Sequence, residues 1–576
     1  MDGRRRARLF WGLLLFRLAN AVLVRTYYVP DEYWQAVEPA HALVFPEHHQ
    51  HHPHHHQHHH PAGGDSGLTW EWRAGLRSYL HPLLFAFPMA VLKLAGSDSR
   101  LLVGLAPRVV SAVVAALGDL GAIVLAGRLA TVGRGLAAAR TTDDGGGDTG
   151  EAEDRDGEGG RAEQGALFLV VTSWYLFYAG VRPLSNCAEA VLTVWALAMF
   201  PWNSRAALID EGPAWILAGL ACVVRPTAAL FWGALGVGLG VWPRLAPAAT
   251  RGQRVVGAAI ATGLRLGLLV VPIGAMLCAL QASVDWLVTS RWTLVPINFV
   301  RFNLISGAAR FYGTHPWHWY VFGEGLTGIL GAAAPLAAVG LWQTRRRQPV
   351  LVLAVVATVA ALSAVPHKEH RFMLVVLYPL FAVSGRVLGA LRLGRPGLAR
   401  ALCAIVVVVS VPVAVYLSAV HQRGPVDAVD TLVAAATNIT NEHGGARPVT
   451  AALLMPCHSL PGPGTFHMAS LQVRSLDCSP PNEVVGGGAW PSGWVEQVDE
   501  EAGRFFASPR AWVDAEWPSC AGAPDLVAAF APVGAALAPW LERCGYAMIA
   551  DLFHAHLEVD ARCAGGLGIY QRRHGA

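Results

Sequence analysis

Charged residues are scarce in this chain. Only 15% of its 576 residues are Asp, Glu, Lys or Arg, whereas 53% are hydrophobic, and the mean hydropathy is +0.39. Soluble globular proteins carry about 25% charged residues, so the composition excludes an ordinary soluble protein. Most of the chain has to lie in lipid, and we predict an α-helical polytopic membrane protein.

A strong excess of either sign of charge is also missing. The net charge of +4 is too small to indicate a nucleic-acid partner. The positions of the basic residues carry more information. Arginines between residues 4 and 8 precede the first apolar run, residues 9–24, and Arg345, Arg346 and Arg347 follow a later one. The positive-inside rule assigns both groups to the cytoplasm.

No signal-peptide cleavage site follows the first apolar run. Residues 24–27, Val-Arg-Thr-Tyr, lack the small-x-small pattern that the protease needs. We therefore expect a retained signal-anchor helix, with the next loop, residues 25–80, in the lumen. Further spans are predicted near 80–97, 103–130, 165–181, 184–201, 212–243 as a broken pair, 255–281, 325–343, 349–366, 372–391 and 400–419. This gives about 10–12 transmembrane helices, although the topology between residues 80 and 181 stays open because Arg108 and Asp119 interrupt the pattern.

Two segments have the composition of insertions. Residues 47–64 include a run that is almost entirely histidine. We interpret it as a solvated low-complexity loop rather than a metal site, because a homopolymer does not supply a defined ligand geometry. Residues 141–164 are rich in Gly, Asp and Glu and almost without aromatics, a composition that predicts disorder.

Cysteine is sparse in the first three quarters of the chain and concentrated at its end. Five of the nine cysteines fall after residue 421, in a region where Pro and Gly become frequent. The N-x-S/T sequon at Asn438 lies there too. Cysteines outside the bilayer suit an oxidising compartment. We predict a membrane domain over residues 1–420 and a small lumenal α+β domain over 421–576, with strands near 450–455 and 546–552.

Adjacent carboxylates at Asp31 and Glu32 stand directly after the first apolar run, in the sequence Tyr-Tyr-Val-Pro-Asp-Glu-Tyr-Trp-Gln. One interpretation is a helix start, with acids near the positive end of the helix dipole. The other is a functional site. From spacing alone the two interpretations have equal weight.

The remaining polar clusters fall on the same predicted lumenal side. They are the block 311–320, the block His367-Lys368-Glu369-His370-Arg371, and Arg182 and Arg225, each followed by a proline. Ionisable residues gathered at one boundary describe a pocket rather than a pore. The aromatic block could be an interfacial belt, but its density favours a functional loop. The basic block could be snorkelling anchors, but it also suits a lipid-linked phosphate.

These stretches together resemble the eukaryotic glycosylphosphatidylinositol mannosyltransferases that use dolichol-phosphate mannose. The matching segments run in order along nearly the whole chain: 29–35, 68–72, 77–79, 225–228, 292–294, 298–299, 302–303, 311–320, 367–372, 420–424 and 455–459.

The resemblance implies a GT-C type fold whose active site lies in the first lumenal loop, within the endoplasmic reticulum membrane. It implies transfer of mannose from dolichol-phosphate mannose to the 2-hydroxyl of the second mannose of a growing glycolipid anchor. The reaction inverts the configuration at C1 of the transferred mannose, so one carboxylate has to accept the proton of the attacking hydroxyl. Asp31 is the candidate base and Glu32 the second choice.

Other roles follow from the same resemblance. The donor phosphate is expected to bind His367, Lys368 and Arg371, with Arg225 as a weaker candidate. Acceptor contacts are assigned to Trp70, Glu71, Arg73, His315, Trp317 and His318. Arg73 and Arg77 either pair with Glu71 or face an anionic ligand. We expect no cofactor, no metal and no nucleic acid; the partners are the two lipid-linked substrates and the bilayer.

Three alternatives remain at this point. Related lipid-linked mannosyltransferases act at the fourth anchor mannose or on the N-glycan precursor. A polytopic lipid transporter would have a similar composition, but it should show mid-bilayer charges and an internal repeat, and no convincing repeat is present. A noncatalytic scaffold would be unaffected by Asp31→Ala.

Overall fold

The computed structural model describes residues 3–49, 68–138, 148–202, 208–245, 260–305, 308–445, 447–479, 501–557 and 560–573. Helices dominate these ranges. In chain order they are Gly3–Leu23, Glu38–Val44, Trp70–Arg73, Leu83–Leu94, Arg100–Ala138, Asp148–Thr172, Trp174–Ala179, Ser185–Met199, Gly212–Val224, Ala228–Leu245, Val271–Thr289, Val295–Val300, Leu326–Leu330, Ala334–Thr344, Pro349–Ala364, Leu374–Gly394, Pro396–Ala419, Gly424–Glu442, Pro463–Phe466, Glu501–Ala507, Pro509–Glu516 and Ala531–Arg543. The strands are β1 Val449–Leu453, β2 Leu471–Ser475, β3 Leu526–Phe530, β4 Tyr546–Leu552 and β5 Leu567–Arg572.

Every apolar run predicted from the sequence contains a helix. Among the described residues, five helical segments are long and apolar enough to cross a membrane: Arg100–Thr131, Ile260–Thr289, Leu326–Thr344, His370–Gly394 and Pro396–Glu442. Five further apolar helices are shorter. Large apolar side chains stand exposed on these segments, for example Leu268 at 63% and Val408 at 71%. Such a surface is costly in water and suits lipid, so the chain is a multi-pass membrane protein.

The long predicted run 212–243 is a broken pair of helices, as expected. The first helix ends at Val224 and the second begins at Ala228. Pro226 disfavours helical geometry at the residue before it and has no N–H to donate. Arg225 accordingly takes an extended conformation.

The chain divides into two compact units. The first consists of residues 1–21, 111–284 and 299–414. Its centre is the helix Leu374–Gly394, which packs against Asp148–Thr172, Ser185–Met199 and Ala334–Thr344. At Gly165 and Gly385 two backbones approach closely: a Cβ on Gly165 would lie 2.2 Å from the Gly385 carbonyl oxygen. Small residues permit this type of contact between membrane helices.

The structure corrects the prediction of disorder over residues 141–164. That prediction is wrong for residues 148–164, because they form the first part of the helix Asp148–Thr172. Ala162 and Glu163 are buried in this helix. Packing against the helix Leu374–Gly394 supplies the burial that local composition lacks. Residues 141–147 lie outside the described residues.

A buried ion pair lies in the first unit. The Arg17 guanidinium donates to both carboxylate oxygens of Asp119, at 2.7 and 2.9 Å. It also donates to Asn20 Oδ1 at 3.1 Å and to the carbonyl oxygens of Leu176 and Val170 at 3.0 and 3.2 Å. Both charged side chains are fully buried. Asp119, which interrupts an apolar run in the sequence, therefore has a cationic partner 102 residues away.

The second unit consists of residues 22–110, 285–298 and 415–576. It contains a five-stranded mixed sheet in the order β2-β1-β3-β5-β4. The strands β2, β1 and β3 are parallel, whereas β5 is antiparallel to both of its neighbours. The helix Gly424–Glu442 covers one face through Leu432 and Ile439, and Ala531–Arg543 covers the other through Leu537 and Trp540. The predicted strands near 450–455 and 546–552 are confirmed as β1 and β4.

Two disulfides join Cys457 to Cys478 and Cys520 to Cys544, and Cys563 remains a thiol. An odd cysteine count in this region required at least one free thiol, as the sequence indicated. Asn438 lies exposed on the helix Gly424–Glu442. Its use as a glycosylation site stays a prediction.

Candidate active site

The Asp31 and Glu32 carboxylates stand at the start of a helical segment. Pro30 provides the carbonyl for the first bonds, accepting from Tyr33 N at 3.1 Å and from Trp34 N at 2.9 Å. The next turns are π-helical over Tyr33–Val37 and become α-helical over Glu38–Val44. Single π turns inside helices are frequent at functional sites.

The two neighbouring acids have different environments. Glu32 is only 2% exposed, and its Oε1 accepts a hydrogen bond of 2.8 Å from the Tyr28 backbone N–H. This bond holds the loop that precedes the helix. Asp31 is partly exposed to solvent. Of the pair, Asp31 is therefore the more accessible carboxylate, although its Oδ2 is buried.

Aromatic residues tie this segment to residues 458–460 of the second unit. The Tyr27 hydroxyl donates to the His458 carbonyl oxygen, and Trp34 Nε1 donates to the Leu460 carbonyl oxygen at 3.0 Å. The Trp34 and His458 rings lie 4.7 Å apart. Tyr27 stacks on Tyr33 at 5.5 Å. The Asp31 helix is thus anchored on the C-terminal part of the chain.

His458 lies among the carboxylates of this unit. Burial lowers its pKa, while the charges of Glu71, Asp477 and Asp31 oppose that shift. The buried Nδ1 of His458 has no hydrogen-bond partner within the part of the chain that the structure describes. Sequence reasoning recognised the 455–459 motif but gave this histidine no role. The signal was the motif itself, which placed a histidine next to a cysteine in the C-terminal part of the chain.

A cavity of about 220 Å³ opens beside this group. Its lining includes Trp34, Trp70, Arg73, His458, Asp477 and Trp517. Pockets for drug-sized ligands measure about 300–1,000 Å³, so this one has room for part of a glycan rather than a whole glycolipid. Stacking surfaces, a carboxylate and a guanidinium are the groups that hold sugar hydroxyls and anionic substituents.

The Trp-Glu-Trp-Arg motif contributes to the same region. Trp70 and Glu71 are buried, and Trp72 Nε1 donates to the Trp34 carbonyl oxygen at 3.1 Å. Arg73 is exposed, lines the cavity and donates to Ser479 Oγ at 2.8 Å. Of the acceptor residues predicted from the sequence, Trp70 and Arg73 therefore lie at the cavity wall.

A second anchor follows on the same helix. Glu38 is fully buried and accepts hydrogen bonds from Gly462 N at 3.1 Å, Gly464 N at 2.7 Å and Thr465 Oγ1 at 3.1 Å. Burial raises the pKa of Glu38 to about 7, against the lowering effect of these bonds. One turn later, His41 Nε2 lies 2.8 Å from His467 Nδ1. Sequence reasoning gave neither residue a role, because their partners are more than 400 positions away.

The predicted phosphate-binding residues belong to the first unit and come together there around Glu369. Arg371 donates to both Glu369 oxygens at 2.6 Å, and His367 Nε2 lies 3.1 Å from Oε1. The Tyr320 hydroxyl also bonds the Glu369 backbone. Burial opposes ionisation of Glu369, but the charge of Arg371 and the bonds from His367 and Arg371 outweigh it, so its pKa lies well below the ordinary value. Glu369 was not assigned from the sequence.

Lys368 and Arg225 complete this cluster. The Lys368 ammonium donates to the carbonyl oxygens of His315 at 3.0 Å and Val365 at 2.5 Å, which links the basic block to the aromatic block. Arg225 pairs with Glu189 at 3.3 Å and lies 5.6 Å from the Phe372 ring centroid. Arg371 lies 5.7 Å from the same ring. All four predicted phosphate ligands are therefore in one neighbourhood.

The aromatic block of the first unit is largely open to its surroundings. His315, Trp317 and His318 are exposed, whereas Trp319 and Tyr320 are buried and hold the loop. His315 stacks on Trp319 at 4.6 Å. The three predicted acceptor residues in this block thus lie beside the basic cluster of the first unit. Trp70, Glu71 and Arg73 belong to the second unit.

Comparison with known proteins gives a consistent result. Residues 8–58 and 54–469 match the Alg9-like mannosyltransferase family. GPI mannosyltransferase 3 from Drosophila melanogaster is 31% identical over 95% of this chain and 84% of its own length. GPI mannosyltransferase 3 from Yarrowia lipolytica is 30% identical over 96% of this chain and 95% of its own. Mannosyltransferase APTG1 from Arabidopsis thaliana is 27% identical over 98% and 92%.

Among solved structures, the crystal structure of ArnT from Cupriavidus metallidurans bound to undecaprenyl phosphate matches with a TM-score of 0.50. It covers 99% of this chain and 98% of its own at 13% identity. At this identity the match concerns the fold, which is the predicted GT-C type.

Proposed function

Because the chain belongs to the Alg9-like mannosyltransferase family, we propose that it adds the third mannose of the glycosylphosphatidylinositol anchor. The chain is a membrane mannosyltransferase. In our proposal the donor is dolichol-phosphate mannose, the acceptor is the dimannosyl anchor precursor, and the new bond is α-1,2. The relatives named GPI mannosyltransferase 3, which align along nearly the whole chain, support this choice of acceptor.

The observation that carries the chemistry is the difference between the two neighbouring acids. Glu32 is buried and holds the Tyr28 N–H, while Asp31 is partly exposed at the same helix start. In the proposed step, the acceptor 2-hydroxyl oxygen attacks C1 of the donor mannose and the C1–O bond to phosphate breaks. Asp31 accepts the hydroxyl proton, and dolichyl phosphate leaves from the opposite face of the sugar.

The basic cluster of the first unit suits the leaving phosphate. Lys368, Arg371 and Arg225 carry three formal positive charges against two on Glu369 and Glu189. Among these five side chains one cationic charge is therefore in excess, with His367 beside it; Glu324 lies near His315 and His370. A phosphate gains negative charge as its bond to the sugar breaks, so fixed cations stabilise the transition state more than the ground state. Glu369 would hold Arg371 and His367 in position through its paired hydrogen bonds.

The acceptor is assigned to the cavity of the second unit. Trp34, Trp70 and Trp517 provide apolar faces, and Asp477 and Arg73 provide polar ends. This combination supports binding of the terminal mannoses, with the rest of the glycolipid outside the cavity. In the other unit, His315, Trp317 and His318 remain candidates for acceptor contacts.

We place the reaction in the lumen of the endoplasmic reticulum. The two disulfides support an oxidising compartment for the C-terminal region. The exposed sequon at Asn438 agrees with that side. The arginine clusters at residues 4–8 and 345–347 would then face the cytoplasm.

Expression in cells that lack the third-mannose enzyme tests the proposal. The chain should restore anchored proteins at the cell surface and remove the lipid intermediate that carries two mannoses. Asp31→Asn should lower kcat about 10²–10⁴-fold in membranes, because the base is lost while the size of the side chain is kept. Glu32→Gln is the matched control: its amide oxygen still accepts the Tyr28 N–H, so activity should fall at most about tenfold.

Two results would contradict the proposal. Persistence of the two-mannose intermediate, together with rescue of cells deficient in the fourth anchor mannose or in N-glycan precursor mannosylation, would assign a different acceptor. Full activity of Asp31→Asn would remove Asp31 from the chemistry even if the acceptor is as proposed.

A further inference from the structure

We propose that His41, His48 and His467 of the second unit bind a divalent metal ion, of which Zn²⁺ is the best match. Each offers one ring nitrogen, and the three nitrogens lie within 4.8 Å of one another. Imidazole nitrogens bind zinc at about 2.0–2.1 Å, which places tetrahedral ligands about 3.3 Å apart. The most distant pair of nitrogens therefore has to approach by at most about 1.5 Å, and the pair His41 Nε2 and His467 Nδ1, at 2.8 Å, has to separate by about 0.5 Å.

The hydrogen bonds of His467 orient it as a ligand. Its Nε2 lies 2.7 Å from the Asp98 carbonyl oxygen, which can only accept, so Nε2 carries the proton. Nδ1 is then the nitrogen with a lone pair, and it faces His41 Nε2 at 2.8 Å. Metal-binding histidines usually donate their other ring N–H to a carbonyl or carboxylate in this way.

His41 Nδ1 keeps its partner when the tautomer of His41 changes. His49 Nε2 lies 2.9 Å from His41 Nδ1. When a metal replaces the Nε2 proton that faces His467, the ring proton of His41 can occupy Nδ1 and donate to His49 Nε2, with the proton of His49 moved to its own Nδ1.

His48 supplies the third nitrogen. Its Nδ1 is buried and has no hydrogen-bond partner among the described residues. The ring lies 4.7 Å from that of His467 and 5.4 Å from that of His41. A buried polar atom of this type costs free energy unless a ligand satisfies it.

The charges around the cluster permit a cation. Lys93 is the neighbouring positive group, 4.7 Å from the Phe45 ring centroid, and it pairs with Glu47 at 2.9 Å. Three neutral imidazoles leave one position of a tetrahedral zinc ion for water. In this proposal the ion would join the helix Glu38–Val44 and the turn Pro46–His48 to His467, next to the Glu38 contacts.

The histidine run that follows in the sequence makes a specific experiment necessary, because such a run binds metals by itself. The test therefore uses the full chain, purified in detergent without an oligohistidine tag, with the histidines between residues 51 and 60 replaced by serine. This background should retain one zinc per chain after dialysis against a weak chelator, and Co²⁺ in its place should give the visible absorption of a tetrahedral site.

Single substitutions in that background test whether the proposed histidines bind zinc. His48→Ala and His467→Ala should each weaken zinc affinity by at least about 10–100-fold and abolish the rise in unfolding temperature that zinc produces. His443→Ala, a histidine outside the cluster whose Nδ1 lies 2.9 Å from the Ile439 carbonyl oxygen, should change neither. Because His48 makes mainly ring contacts, its loss should leave the fold intact, which circular dichroism checks.

An adventitious ion only, bound by the run and lost with it, would overturn the proposal. So would unchanged zinc affinity in a folded His48→Ala variant. Neither result bears on mannosyl transfer, which the proposed chemistry assigns to other residues.

Discussion

Breaking the buried pair between Arg17 and Asp119 should destabilise the first unit strongly. Asp119→Ala leaves a guanidinium with no exposed surface and without its carboxylate. Removing one partner of such a pair costs about 3–5 kcal/mol. The bonds from Arg17 to Asn20 and to two backbone carbonyls remain, so we expect the lower end, about 3 kcal/mol. A total stability of about 5–15 kcal/mol makes this a large fraction.

A matched surface pair provides the control. Arg100 and Asp430 lie 2.5 Å apart, but their side chains are 35% and 73% exposed. Exposed pairs contribute about 0–1 kcal/mol, so Asp430→Ala should scarcely change the unfolding midpoint. The assay is thermal unfolding of each purified variant in the same detergent.

The double variant Arg17→Met, Asp119→Leu separates pairing from packing. It removes both charges and keeps apolar volume, so it should recover most of the stability lost by Asp119→Ala. The reasoning is refuted if Asp119→Ala unfolds at the same temperature as Asp430→Ala. A double variant that is less stable than Asp119→Ala would contradict it equally.

Three further outcomes are expected. The pKa of Glu38 is about 7 in the folded chain against an ordinary 4.5, so the folded state binds more protons than the unfolded state between these pH values. The free energy of unfolding should therefore fall by about 3 kcal/mol as the pH rises from 4.5 to 7. Unfolding of Glu38→Gln, measured over the same pH range, should lack this slope. Gly385→Val should prevent folding or lower the unfolding temperature sharply, because a Cβ would lie 2.4 Å from Ala166 N; normal stability of that variant by the same assay would contradict the contact. Replacing Cys520 and Cys544, which are 24 residues apart, with serine should lower the free energy of unfolding by about 2–4 kcal/mol, as measured by denaturant unfolding. Because the variant lacks this disulfide, a reductant should cause no further loss through it.

Local signals were sufficient for most helices and two strands. The apolar runs predicted the helices of the membrane spans because the requirement for about 20 apolar residues is a local one. The length of the run 212–243 predicted a broken pair for the same reason, and the structure places the break before Pro226. The strands β1 and β4 followed from alternation over five to seven residues.

Contacts between residues that are distant in the sequence could not be predicted from local signals. The carboxylate of Glu38 meets residues 462–465, and Asp119 meets Arg17, yet nothing in either local pattern names the partner. The helical start of residues 148–164 was missed because its burial comes from the helix Leu374–Gly394 and not from its own composition. Glu369 lies inside a recognised motif, but only its basic neighbours were predicted to have a role, and the carboxylate that holds them was missed.

The π turn at Tyr33–Val37 makes chain length critical between the catalytic candidate and its anchors. One residue corresponds to about 100° of rotation in an α-helix. The wide π turn already holds one residue more than an α turn, so a further insertion there would swing Glu38 and His41 away from Gly464 and His467, while Asp31 stayed in place. Substitutions at Gln35 should be tolerated far better than an insertion beside it.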